Sequence, residues 1–194
     1  MESTSQSFLI ELTENQTLIR DTIRDFAQSK IKPKVMEWDE AQHFPTNILL
    51  ELGELGFMGI IFPEEYGGAG LGYVDFVIII EELGIVDPSI ALSVAAHNGL
   101  CTSHIYKFGN VGQKKKYLPD LVSGRKIGAW GLTESFSGSD AAGLKSVAEK
   151  KGNKYILNGS KTFTTHGASG ETLVVMTITN KDDGKKGISA FILE

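Results

Sequence analysis

The chain has 194 residues, 41% of them hydrophobic, with 19 Lys and Arg against 24 Asp and Glu and a formal charge of -5. That is enough for a buried core in one or two domains, and too little clustered positive charge for a large nucleic-acid footprint, since phosphate binding depends on Lys and Arg displacing counterions. The single cysteine, Cys101, excludes an intrachain disulfide scaffold, and no apolar run approaches the roughly 18 residues that a bilayer-crossing helix needs. The N-terminus lacks a basic stretch followed by an apolar core, so a cytoplasmic protein is expected, or a mitochondrial matrix protein already stripped of its presequence.

The first 120 or so residues read as helices. Phe8, Leu12, Ile19, Ile23 and Phe26 recur at helical intervals, and Pro33 marks a break. A second helix is expected through Val35 and Trp38, and a third, NILLELGELGF, with Thr46 as N-cap and Gly56 as its stop. FPEEYGGAGLGY, with one proline and four glycines, reads as a loop. Tyr73 to about Val86 reads as helix in preference to strand, because EELG continues the pattern. Asp87 then caps a helix that opens with Pro88 and runs as one central helix to Phe108. A further helix, VGQKKKYLPDLVSG, ends at Gly124, and its Lys114, Lys115 and Lys116 read as a solvated face.

After Lys126 the pattern changes to alternation. KSVAEKKGNKYILN predicts two strands around the turn KKGN. Asn158-Gly159 is a hairpin signal, and Lys161, Thr162, Phe163 and Thr164 then predict another strand. LVVMTIT and GISAFILE complete the set, separated by NKDDGKKG. The expected fold is therefore α+β: an all-α bundle over residues 1–125 followed by an antiparallel β domain over 126–194. Because an apolar strand runs up to Glu194, the β domain reads as incomplete, with further sequence expected to pair its exposed edge.

Most candidate sites fail on spacing. Gly67 to Gly72 does not meet G-x-G-x-x-G and follows no strand, and no Walker spacing occurs. His97, Cys101 and His104 share one helical face, but no separate ligand cluster completes a metal site. There is no G-x-S-x-G elbow, and nothing marks a histidine as partner to a nucleophilic Ser139. Glu81 and Glu82 diverge by about 100° on a helix and form no acid/base pair. What remains is GLTESFSGSDAAGL, residues 131–144, together with KTFTTHG. Small residues let backbone N–H groups approach a flat or anionic ligand, and Trp130 and Phe163 offer aromatic walls. An ordinary loop stays open as the alternative.

LTESFSGSDAAGLKSVAEKKGNKYILNGSKTFTTHG resembles the flavin-binding stretch of the acyl-CoA dehydrogenase family, whose pattern is approximately T-E-P-x-x-G-S-D, a hairpin, then N-G-x-K-x-W-I-T-N-G. FPEEYGGAGLGYVDF, EELG, FGNVGQKKKYLPDLVSG and GISAFILE extend the resemblance over nearly the whole chain. It implies a subunit with an N-terminal helical domain, a middle β domain and a C-terminal helical domain that this chain lacks, usually assembled as a homotetramer. FAD is the implied cofactor, and acyl-CoA and an electron-transferring flavoprotein are the implied partners.

By position, the resemblance implies that Trp130, Gly131, Leu132 and Thr133 line the flavin, with Thr133 bonding its pyrimidine edge. Ser139 contacts the cofactor or the bound acyl-CoA. Phe163 stands in place of the family tryptophan, with Thr164 beside it, and Thr165 matches the threonine near flavin N5. Ser135 and His166 replace a proline and an asparagine. The implied reaction is α,β-dehydrogenation of an acyl-CoA thioester, with an α-proton going to a carboxylate and a β-hydride to the flavin. The base normally lies in the C-terminal domain, so no residue here receives that role, and the chain alone is expected to be inactive or to bind FAD weakly. An acyl-CoA oxidase on the same scaffold, and a non-catalytic helical binding or assembly module, are the alternatives.

Overall fold

A computed structural model describes residues 11–194, so Phe8 of the first expected helix face lies outside the described residues. Helix α1 (Glu14–Phe26) starts at Thr13, whose hydroxyl accepts from the Gln16 N–H while the Gln16 side chain accepts from the Thr13 N–H. Beyond Phe26 the chain stays helical, through a π segment (Ala27–Ile31) and a 3-10 turn (Lys32–Lys34) that contains Pro33, into α2 (Val35–Glu40). Ile23, Ala27 and Ile31 thereby keep one buried face along the whole stretch.

Helix α3 (Thr46–Glu54) is capped differently from the expectation. Its N-cap is Pro45, and Thr46 is already the first helical residue; the Pro45 carbonyl accepts from the Ile48 N–H, so the imide ring sets the entry in place of a side-chain oxygen. Helix α4 (Tyr73–Val86) is helix, as the EELG continuation predicted. Asp87 caps α5 (Pro88–Ala96), its carboxylate accepting from the N–H groups of Ser89 and Ile90. The expected single helix from Pro88 to Phe108 is helical throughout but interrupted: His97–Thr102 form a π segment before α6 (Ser103–Phe108). Helix α7 (Val111–Val122) is closed at its start by the reciprocal Asn110–Gln113 cap and ends before Gly124.

The β part has five strands: β1 (Gly128–Gly131), β2 (Val147–Lys151), β3 (Lys154–Asn158), β4 (Thr172–Ile178) and β5 (Ile188–Leu193). The β2–β3 hairpin turns at Gly152-Asn153 as expected, and β4 pairs antiparallel with β5. The sheet is nevertheless mixed, because β1 runs parallel to β4 and β2 touches β4 in parallel at Val147–Ile178. The whole β2–β3 hairpin is inserted between β1 and β4, which places two sequence-distant strands side by side.

The second correction concerns Asn158-Gly159. No hairpin forms there, and Lys161 to Thr165 are loop, not strand. A Cβ on Gly159 would sit 2.2 Å from Ser146 Oγ and 2.8 Å from Ser146 Cα, so glycine is present to let the chain leave the sheet across Ser146.

Two buried polar contacts hold the helical part together and to the sheet. Arg24 grips the buried Glu82 with two bonds, Nε to Oε2 at 2.9 Å and a terminal nitrogen to Oε1 at 2.6 Å, tying α1 to α4, while Glu81 is exposed. His97, fully buried, accepts at Nδ1 from the Gly128 N–H at 2.9 Å. Its proton is therefore on Nε2, which donates to the Leu121 carbonyl at 3.0 Å. Burial holds this ring well below the usual histidine range, at about 4, against the opposing pull of the Leu121 carbonyl.

Removing Arg24 strands a buried carboxylate, whereas neutralising Glu82 leaves a half-exposed guanidinium that water can solvate. Arg24→Met is therefore expected to lower the urea midpoint more than Glu82→Gln. For His97 the unfolded chain takes up a proton below about pH 6.5 and the folded chain only near 4, so its stabilising effect is complete above 6.5 and is lost as pH falls. Burial lowers His166 too, with the same sign. Urea unfolding should show a loss on the order of 3 kcal/mol between pH 7 and 4 from His97. His97→Gln should be less stable at pH 7 and lose most of that pH dependence.

Candidate functional site

Strand β1 begins where the two parts meet. A Cβ on Gly128 would lie 2.7 Å from Cys101 Cβ, so only glycine lets the strand pass the π segment this closely. Its N–H serves His97, and its carbonyl accepts from His166 Nδ1 at 2.9 Å. His97, Cys101 and His104 do not converge on a common point. Both ring nitrogens of His97 are engaged, the Cys101 thiol donates to the Thr172 carbonyl at 3.5 Å, and His104 stacks at a tilt on Phe108. Burial pushes the Cys101 thiol up to about 12, which makes it a packing residue and not a nucleophile.

From β1 the chain runs through Trp130, Gly131, Leu132 and Thr133 into the loop. Trp130 is half-buried, packed on the Cys101, Ile105, Leu118, Leu121 and Val174 cluster, with its Nε1 buried and unbonded. Leu132 and Thr133 are also half-buried. Across from them lies the 159–171 loop, and the Thr162 N–H donates to the Thr133 carbonyl at 2.8 Å. The structure thus brings 130–133 and 161–165 together, although the second segment is loop and not strand.

Ser139 stands apart from this junction. It is exposed, on the far stretch of the 131–144 loop, where Glu134 and Ser137 exchange backbone bonds and the Ser137 hydroxyl donates to the Asp140 carbonyl at 2.6 Å. Phe163 is 93% exposed at φ 57°, and His166 has φ 62°. The left-handed region is an outlier for an aromatic residue, and the ring held there is turned out to solvent. Thr164 and Thr165 follow it, both half-buried.

The strongest electrostatic feature was not anticipated from the sequence. Glu134 is buried and accepts from Lys161 Nζ at 2.7 Å, from the N–H groups of Lys145 at 2.7 Å and Ser146 at 2.9 Å, and from the Ser146 hydroxyl. Lys161, its side chain 10% exposed, also donates to the Leu132 carbonyl at 3.0 Å. Burial alone would raise the Glu134 pKa, but the Lys161 ammonium, the Ser146 hydroxyl and the two amides outweigh it and bring it to about 2. Such a carboxylate is a permanent anion, too weak a base for proton abstraction. Beside it lies a cavity of about 360 Å³ lined by Glu134, Phe136, Lys145, Ser146, Gly159 and Thr162 among others. The only sequence signal for the pair was that Glu134 follows Thr133 and that Lys161 follows the Asn158-Gly159 bend. Nothing local shows that these two positions meet.

The geometry can be set beside known proteins. The sequence matches the family models described as acyl-CoA dehydrogenase, N-terminal domain, over residues 13–125 and acyl-CoA dehydrogenase, middle domain, over residues 129–194. The short-chain-specific acyl-CoA dehydrogenase of Clostridium acetobutylicum is 43% identical over 183 residues, which are 94% of this chain and 48% of that protein. The mitochondrial isovaleryl-CoA dehydrogenase of Arabidopsis thaliana is 43% identical over 194 residues, covering 99% and 47%. Among solved structures, a chain from work on the electron-transferring flavoprotein of Acidaminococcus fermentans superposes with a TM-score of 0.92 at 44% identity, covering 96% of this chain and 49% of that one. A glutaryl-CoA dehydrogenase from Mycobacterium smegmatis in complex with FADH2 gives 0.88 at 32% identity, covering 94% and 46%. The chain spans about half the length of the relatives it matches. Helices followed by a five-stranded sheet, and family matches on both sides of the Gly128 junction, lead to one assignment: this chain belongs to the acyl-CoA dehydrogenase family.

Proposed function

We propose that this chain forms one wall of an FAD site in an enzyme that dehydrogenates acyl-CoA thioesters to 2-enoyl-CoA. The observation that carries the reading is Phe163, an aromatic ring 93% exposed in a left-handed backbone conformation, on a loop bonded to the Leu132–Thr133 segment. The FADH2 complex of a relative 32% identical supports the cofactor. The residues present fit a flavin: Phe163 supplies a flat apolar face, Thr133 and Thr165 carry hydroxyls on the two segments joined by the Thr162–Thr133 bond, and Trp130 Nε1 is a buried donor still without an acceptor.

FAD, when bound, supplies the hydride acceptor. The chain's own residues bind and orient. Trp130, Gly131, Leu132 and Thr133 form the strand side, with the Thr133 hydroxyl toward the pyrimidine edge. Phe163, Thr164 and Thr165 form the loop side, and exposed Ser139 meets the cofactor or the bound acyl-CoA. We assign residues 1–125 to a helical domain and 126–194 to the β domain. The proton acceptor is assigned to a region outside this chain, consistent with relatives about twice as long. The complete enzyme is read as a homotetramer that passes its electrons to an electron-transferring flavoprotein. Its compartment is read as the cytoplasm or the mitochondrial matrix, and the Arabidopsis relative is a mitochondrial protein.

Titrating the 194-residue chain with FAD and following flavin fluorescence tests the cofactor. Weak but saturable quenching is expected from a chain that supplies one wall only, with affinity falling roughly threefold to tenfold in Phe163→Ala and in Thr133→Val, the size of one lost aromatic contact or hydrogen bond. No uptake of FAD would overturn the reading. Mixed with butyryl-CoA and an artificial electron acceptor, the chain alone is expected to give little or no turnover; robust dye reduction would refute the assignment of the proton acceptor elsewhere.

A further inference from the structure

We propose that Lys161, held in place by Glu134, is a positioning residue that fixes and polarises the Leu132–Thr133 peptide as a hydrogen-bond donor on the flavin wall. The proposal rests on the FAD reading above and adds to it a charged group that touches no cofactor in that reading.

Glu134 is satisfied without a cation. Its carboxylate already accepts two backbone N–H groups and a hydroxyl, from Lys145 and Ser146, which is enough to satisfy a buried anion at a loop crossing. A buried ammonium is an expensive addition, since desolvating Lys costs several kcal/mol before any attraction is counted. What Lys161 adds is its second bond, 3.0 Å to the Leu132 carbonyl. That carbonyl and the Thr133 N–H belong to one peptide group. A cation on the oxygen draws electron density toward it and makes the N–H a stronger donor, an effect enlarged where water is excluded.

The surroundings hold this peptide still. The Thr133 carbonyl accepts from the Thr162 N–H at 2.8 Å, so Thr133 is fixed on its far side as well. The Lys161 stem lies against Gly131, where a Cβ would come within 3.3 Å of Lys161 Cγ, so the side chain is packed along the strand it polarises. Among the described residues the Thr133 N–H donates to no acceptor. A strengthened, immobile donor on the segment that the Thr162 N–H joins to the Phe163 loop suits a carbonyl or an anionic nitrogen at the edge of a planar heterocycle, which describes the pyrimidine edge of an isoalloxazine.

The test uses the 15N-labelled chain and three variants: Lys161→Met, Lys161→Arg, and the double variant Glu134→Gln with Lys161→Met, which removes both charges and so preserves folding if the single variant does not. In the absence of FAD, the Thr133 amide proton is expected to move upfield in the Met variants and to return toward the wild-type position with Arg. With FAD added, the Met variants should bind roughly threefold to tenfold more weakly, the weakening of one hydrogen bond, and the Arg variant should fall in between. A Thr133 resonance that does not move in a folded Met variant overturns the polarisation, whatever happens to affinity. A resonance that moves with FAD affinity unchanged overturns its relevance to the flavin. If the wild-type chain takes up no FAD while the resonance still responds to Lys161, the flavin reading is the part that falls, and this proposal falls with it.

Discussion

The structure turns on one peptide group pair at Gly128, gripped from both sides by histidines. His97 takes its N–H and His166 reaches its carbonyl, so the helical part, the first strand and the 159–171 loop share a single fixed point. For His97 the grip demands a neutral ring with its proton on Nε2, because the other nitrogen must accept. The π segment at His97–Thr102 makes this possible. Its wider turn presents His97, Asn98 and Cys101 to the interior together, and Asn98 uses the same opening to bond the backbone of Phe57, Ile60 and Val94. The glycine is as necessary as the histidines, since any side chain at 128 would strike Cys101.

A second fastener acts six residues further along the chain, at Glu134. Glu134 and Lys161 close the same two segments that Gly128 and His166 close, but with charge in place of neutral donors. Between the two fasteners the 159–171 loop has little freedom, and it is there that Phe163 and His166 sit at positive φ. Two non-glycine residues in the left-handed region persist only where their surroundings over-determine the backbone. The fasteners supply that determination, and the outcome is an outward-facing aromatic ring on a rigid base.

What the sequence disclosed divides along a physical line. Thr13, Asp87 and Asn110 end helices by bonding backbone groups within three residues, and Gly152 turns a hairpin by its own conformation; Asp87 and the KKGN turn were accordingly readable. The parallel pairing of β1 with β4 was not, because it joins residues more than 40 positions apart across an inserted hairpin. Asn158-Gly159 misled for a related reason. The dipeptide does permit a tight turn, but Ser146, thirteen residues before the glycine, is what that glycine makes room for. The His97, Cys101 and His104 spacing was correctly placed on one helical run, yet the roles of its members depend on Gly128 and Leu121, which no helical wheel contains. The residues named for the flavin wall came from motif resemblance, whereas the Glu134–Lys161 pair that braces them became visible only in three dimensions.

This division bears on the three departures from the family pattern. Ser135 is exposed and outside the bonded network, so loss of a proline there leaves the Glu134 cradle unchanged. Phe163 retains a flat face while dropping the indole N–H, and 93% of its surface is exposed. His166 is the informative one. Asparagine tolerates the left-handed region and carries a short donor; histidine is also enriched there, and its longer ring reaches the Gly128 carbonyl at 2.9 Å while lying against Phe44 from the helical part. The substitution therefore keeps the backbone conformation and adds an apolar contact to the helical layer. Its remaining nitrogen, buried without a partner, favours the neutral ring as burial does, so the loop that presents Phe163 is most firmly seated at neutral pH and above.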